Sequence, residues 1–210
     1  MNTLAANPIK STKVTIQKAL ESSMNYSEYR ELVHELAIMN SNTGPEKTEA
    51  LADYTRLNDR RMSRWDKTVK LPAEIMGQIK QIQQKVTWLV LTESWCGDAS
   101  PSLPVMNKLT EPNPNLELKI VLRDEHPELM DLFLTNGTRS IPKLIALDSQ
   151  SQEVLGEWGP RSEKATKMVV EEKTAHGKLR PEFKQDLQVF YNKDKGQDIL
   201  KDLLKLLLLK

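Results

Sequence analysis

Val86-Thr87-Trp88-Leu89-Val90-Leu91, followed past Thr92-Glu93 by Ser94-Trp95-Cys96-Gly97-Asp98-Ala99-Ser100-Pro101-Ser102-Leu103-Pro104, is the stretch whose reading decides the fold. Its first six residues are almost all apolar, β-branched or aromatic, the composition of a strand buried on both faces. Ser94 to Gly97 make a turn, and a helix is predicted from there to about Leu109. Cys96, the only cysteine in the chain, therefore sits where a strand hands over to a helix. Unpaired backbone N–H groups and the positive end of the helix dipole favour thiolate at such a place. Asp98 works against them, because a nearby negative charge disfavours a second one. A reactive thiol here is expected to titrate clearly below the ordinary value of about 8.5.

Downstream, the alternation of element types continues. Leu116 to Leu122 reads as a second strand, and Glu128 to Leu134 as a short helix ended by Asn136-Gly137. Lys143 to Leu147 and Val154 to Trp158 read as two strands joined by the polar turn Asp148 to Gln152. Pro160 opens a helix that runs to about Ala175, with Gly177 as its stop. The order is β-α-β-α-β-β-α, an α/β fold with a mixed four-stranded sheet. Strand–helix–strand units imply parallel pairing with a right-handed crossover, and the last two strands imply an antiparallel hairpin.

The flanks read as helical. Tyr29, Leu32, Val33, Leu36 and Ala37 recur at helical spacing behind Ser27 as N-cap. After the break at Gly44-Pro45 a second helix is predicted from about Glu46 to Lys67. Beyond Pro72, Ile75, Met76, Ile79 and Ile82 form one apolar face. At the other end Phe183, Leu187, Phe190 and Tyr191 share a face. Ile199, Leu203, Leu206 and Leu207 share another, past a break at Asp194 to Gly196. The expected organisation is an N-terminal helical extension (1–85), an α/β core (86–177) and a C-terminal helical extension packed on it (178–210).

Composition narrows the function classes. With 30 basic against 29 acidic residues, the net charge of +1 gives no electrostatic footprint for nucleic acid or an anionic membrane. A single cysteine excludes an internal disulfide, and one cysteine with three scattered histidines, His34, His126 and His176, argues against a structural zinc site, which needs four Cys or His ligands. No metal and no cofactor are expected. The first twenty residues lack the apolar run of a secretory signal, and Leu203 to Leu209 is too short to span a bilayer. A soluble, cytoplasmic protein is the expectation; the oligomeric state is left open.

The segment Trp95-Cys96-Gly97-Asp98-Ala99 with Pro104 resembles the active-site segment of thioredoxins, Trp-Cys-Gly-Pro-Cys with a proline eight residues past the first cysteine. Ser140-Ile141-Pro142 resembles the family's second signature, an Ile-Pro whose proline is cis and faces that cysteine. Gly159 falls where thioredoxins place a late glycine beside the binding groove. The longer pattern, with Leu122-Arg123-Asp124-Glu125, Asn136 to Lys143, Trp158-Gly159-Pro160-Arg161 and Tyr191 to Gly196, looks like a bacterial group of uncharacterised thioredoxin-family proteins. The resemblance implies a thioredoxin-like fold with helical extensions. It places Cys96 at the attacking position, within a motif of Trp95, Gly97, Asp98 and Ala99. Ile141, Pro142, Trp158 and Gly159 would bind substrate.

The departures bear on mechanism. Ala99 stands where thioredoxins carry the resolving cysteine, so a dithiol cycle within one chain is impossible. Val90 stands where they bury an acid. What remains is monothiol exchange, in which Cys96 forms a mixed disulfide with a protein disulfide or a low-molecular-weight thiol adduct and an external thiol releases it. The alternative is a non-catalytic thioredoxin-fold module that binds a protein or peptide. Arg139 and Arg161 flank the substrate-side loops and read as surface charge, with contact to an anionic thiol as the other reading. Asp124-Glu125-His126 reads as a solvated loop leading into a helix, and Ser100 lacks an activating histidine next to it.

Overall fold

The structure, a computed structural model, describes residues 8–208. The start of the N-terminal segment and Leu209, the end of the leucine run, lie outside the described residues. The helices α1 (Pro8–Glu21), α2 (Tyr26–Ile38), α3 (Glu49–Thr68) and α4 (Ala73–Lys80) come first. They lead into β1 (Val86–Thr92), α5 (Ala99–Thr110), β2 (Leu116–Leu122), α6 (Pro127–Leu132), β3 (Lys143–Asp148), β4 (Val154–Trp158) and α7 (Glu163–His176). α8 (Pro181–Asp194) and α9 (Gln197–Leu208) follow.

The sheet runs in the order β2-β1-β3-β4. β1 pairs with β2 in parallel, from Val86 opposite Leu116 to Thr92 opposite Leu122. It pairs with β3 antiparallel, and β3 with β4 likewise. β1 is central, and every one of its residues is buried, which is why it reads as a continuous apolar run and not as an alternating one. The open side of β2 is closed by Met24, whose backbone exchanges two 2.8 Å hydrogen bonds with Ile120.

Helix boundaries depart from the sequence reading where capping decides them. α2 starts behind Asn25, not Ser27: Asn25 Oδ1 accepts from the Glu28 N–H at 3.0 Å, and Glu28 returns the bond to the Asn25 N–H at 2.7 Å. α3 starts behind Thr48, whose hydroxyl accepts from the Leu51 N–H, so Glu46 lies outside it. α7 starts at Glu163 and not at Pro160. The first N–H groups of α7, on Glu163 and Lys164, bond to Asp202 at 2.8 Å and Asp198 at 3.0 Å, both on α9. Gly177, at φ +70°, ends α7.

The two ends of the chain close over the sheet. α3 packs on α5, and α9 packs on α5 and β4. Ile199, Leu200 and Leu203 of α9 are buried. Gly156 in β4 gives that helix room, since a Cβ there would stand 2.5 Å from Leu206 Cδ1.

Candidate active site

β1 ends at Thr92, and residues 93–98 turn the chain into α5. The turn is clamped from the N-terminal side. Ser94 N–H donates to Thr43 Oγ1 at 2.9 Å, and the Thr43 N–H donates to Ser94 Oγ at 3.0 Å. Asn58 Nδ2, on α3, donates to the Ser94 carbonyl at 2.9 Å. Glu93 is fully buried; its carboxylate accepts from the Thr43 hydroxyl and from the Asp124 N–H. Burial pushes the Glu93 carboxyl above the usual range, and these hydrogen bonds draw it back.

Cys96 lies three residues ahead of α5, not on its first turn, and is 7% exposed. Its thiol donates to the Ile141 carbonyl at 3.3 Å. The expected lowering of its pKa does not occur. Burial, and after it the Asp98 charge, push the thiol up to about 12; the N–H groups of Ala99 and Asp98 and the Arg161 charge pull the other way. The helix-terminus effect is present but outweighed, because taking a thiolate out of water costs more than two N–H contacts return.

Asp98 is itself nearly buried. Its carboxylate pairs with Arg161 at 2.6 Å and accepts from the Tyr191 hydroxyl at 3.2 Å. Burial raises its pKa, against Arg161, Tyr191 and Arg61. Ala99 is buried at the start of α5, and Pro104 lies inside that helix. Ser100 is fully buried and donates to the Gly97 carbonyl at 2.9 Å.

A pocket of about 500 Å³ opens beside this turn. Trp95, Cys96, Gly97, Asp98 and Ile141 line it. The Ile141–Pro142 peptide is cis, as is Gly159–Pro160. Trp158 and Gly159, read from sequence as part of the substrate groove, line a separate depression with Lys143 and Glu157. Gly159, at φ +115°, is held by close approach: a Cβ would meet the Pro142 carbonyl oxygen at 2.1 Å.

The sequence reading does not reach several of the lining residues. Leu51, Tyr54 and Arg61 come from α3, and Phe183, Lys184 and Leu187 from α8. Arg61 and Lys184 look in sequence like any surface charge, and only the packing of two distant helices brings them to Cys96. Arg139 and Arg161 also line the pocket. Arg161 pairs with Asp98, and Arg139 holds Asp131 through two hydrogen bonds at 2.6 and 2.7 Å. Asp124 and His126 lie elsewhere, in the β2–α6 turn. Among the described residues, no cluster of three or more His, Cys, Asp or Glu could hold a metal ion, and no helix is long and apolar enough to cross a membrane.

The family model described as Thioredoxin matches residues 44–176, from the loop before α3 to the end of α7. No curated protein matches the chain. Among solved structures, a protein of unknown function from Pseudomonas aeruginosa is similar, with a TM-score of 0.58 at 16% identity, covering 87% of this chain and 93% of its own. An HIV epitope-scaffold is similar too, with a TM-score of 0.54 at 16% identity, covering 87% of this chain and 97% of its own. These two likenesses bear on the fold alone. The four-stranded sheet in the order β2-β1-β3-β4, the Cys96 turn leading into α5 and a family match over more than half of the residues lead to one conclusion: the chain belongs to the thioredoxin family.

Proposed function

We propose that the protein carries out monothiol thiol–disulfide exchange with Cys96 Sγ as the attacking sulfur. The observation that carries this reading is the placement of Sγ at the pocket wall, 3.3 Å from the Ile141 carbonyl. In the first step the Cys96 thiol loses its proton to solvent. Sγ then attacks one sulfur of a disulfide R–S–S–R′, the S–S bond breaks, and R′S⁻ leaves with the electron pair and takes up a proton. In the second step an external thiol, as thiolate, attacks the R-bearing sulfur and Cys96 thiolate departs. The net change exchanges R′ for the incoming thiol, and Cys96 ends as it began. With no second cysteine in the chain, the mixed disulfide persists until that external thiol arrives. A free thiol in this role suits a reducing compartment such as the cytoplasm.

The resting thiol is neutral at neutral pH, so exchange runs on a small thiolate fraction. That same fact favours a second reading, a non-catalytic module that binds a protein or peptide. Turnover separates the two. Exchange between a low-molecular-weight thiol and bis(2-hydroxyethyl) disulfide is expected to run above the uncatalysed rate with the native protein and at that rate with Cys96→Ser. A native protein no faster than background would overturn the exchange reading. Under the binding reading, Cys96→Ser retains full partner binding.

A further inference from the structure

The chain is close to electroneutral, at +1, yet the charge around Cys96 is one-sided. Among the described residues lining its pocket are five cations, Arg61, Arg123, Arg139, Arg161 and Lys184, and a single carboxylate, Asp98. Three of the five are occupied. Arg161 pairs with Asp98, Arg139 with Asp131, and Arg123 with Asp124 while its guanidinium lies 5.0 Å from the Trp95 ring centroid.

The other two form no ion pair among the described residues. Among the described residues, Arg61 has no carboxylate within ion-pair distance, and its Nη1 reaches Asn58 Oδ1 at a long 3.4 Å. Burial pulls its pKa down against the charge of Asp98, a carboxylate already paired with Arg161. It lies directly against the cysteine turn, since a Cβ on Gly97 would stand 4.0 Å from Nη1. Lys184 likewise has no acid partner among the described residues, and its Nζ sits 5.8 Å from the Tyr54 ring. A guanidinium offers a planar fork of donors that matches a carboxylate.

The walls fit a small ligand. α3 and α8 meet across the pocket at the Tyr54–Lys184 contact, and Leu51, Phe183 and Leu187 make its apolar sides. About 500 Å³ is within the range of small-molecule sites.

We propose that this pocket takes a low-molecular-weight disulfide bearing carboxylates, with Arg61 and Lys184 as the groups that hold its negative charge beside Cys96. The proposal rests on the exchange reading for its chemistry, but not for its charge preference. Cys96 Sγ attacks the disulfide of the anion, one carboxylate-bearing thiolate leaves, and a second low-molecular-weight thiol releases the other half as above.

Three disulfides of similar length and different charge provide the test: 3,3′-dithiodipropionate (a dianion), bis(2-hydroxyethyl) disulfide (neutral) and cystamine (a dication). The rate of Cys96 adduct formation is followed by intact-protein mass at about pH 8, where the carboxylates are fully ionised. The dianion is expected to react about tenfold faster than the neutral disulfide, the dication slowest, with the preference shrinking as salt rises. Arg61→Gln is expected to collapse the dianion-to-neutral ratio, and the exposed Lys184→Gln to lower it. Equal rates for the three, or a faster dication, would overturn the anion pocket while leaving exchange standing. Calorimetric binding of 3,3′-dithiodipropionate to Cys96→Ser reads the pocket without the chemistry. If that variant binds the dianion through Arg61 while the native protein forms no adduct with any of the three, the pocket stands and exchange fails.

Discussion

At Cys96 several effects compete for one proton. The N–H groups of Asp98 and Ala99 and the Arg161 charge favour the thiolate; burial and the Asp98 carboxylate favour the thiol and win. Asp98→Asn removes the second largest cause of the raised pKa and leaves Arg161 without its counter-ion. Iodoacetamide alkylation of Cys96 at fixed pH should then quicken by roughly tenfold, since a charge at short range in a buried site is worth about one pKa unit. An unchanged rate would show that Asp98 does not act on the thiol. Gly159 sets a different kind of limit. A side chain there meets the Pro142 carbonyl oxygen at 2.1 Å in a φ that L residues avoid. Gly159→Ala should destabilise the protein by about 2–3 kcal/mol, read as a fall in Tm. A Tm within a degree of the native value would show that the close approach at Gly159 does not limit stability. The spacing of Pro104, Ile141-Pro142 and Gly159 from Cys96 was open to reading from the sequence, because prolines and a glycine answer backbone demands of the fold. The net sign at Cys96 was not, because it depends on how deeply neighbouring elements bury the sulfur.

Among the elements, strands and helices with a strong period could be read directly: β1 from its unbroken apolar run, β3 and β4 from the turn between them, α7's end from Gly177. Starts governed by distant partners could not. The acids that cap α7 are Asp198 and Asp202, more than thirty residues further on. The clamp on the cysteine turn reaches it from Thr43 and Asn58, about forty to fifty residues earlier. Asn58→Ala tests the clamp. It leaves the buried Ser94 carbonyl without the Asn58 donor, a loss of about 1–3 kcal/mol that should lower Tm by about 5 °C. It also frees Arg61 of its Asn58 contact. If Tm holds, the turn is fixed without the Asn58 amide, by Thr43 and by Thr55 of α3, whose hydroxyl lies 2.8 Å from Ser94 Oγ.

For the molecule as a whole, a net charge of +1 gives no footprint for nucleic acid or an anionic membrane, and it does not bear on a small anion held at one site. Composition averages over the surface, whereas folding gathers five cations around one sulfur. The helices on either side of the core, which in sequence look like additions, supply two of those cations and most of the apolar wall. The exchange proposed for Cys96 requires a working sulfur despite its neutral resting state. Intact-protein mass after exposure to bis(2-hydroxyethyl) disulfide, followed over a pH series, tests it most directly. An acid held at about 12 gains thiolate as pH rises, so adduct formation should climb about tenfold per pH unit between about pH 7 and 10. One adduct is expected, on Cys96, fully released by added thiol. No adduct anywhere in that range, or one that thiol does not release, would contradict it.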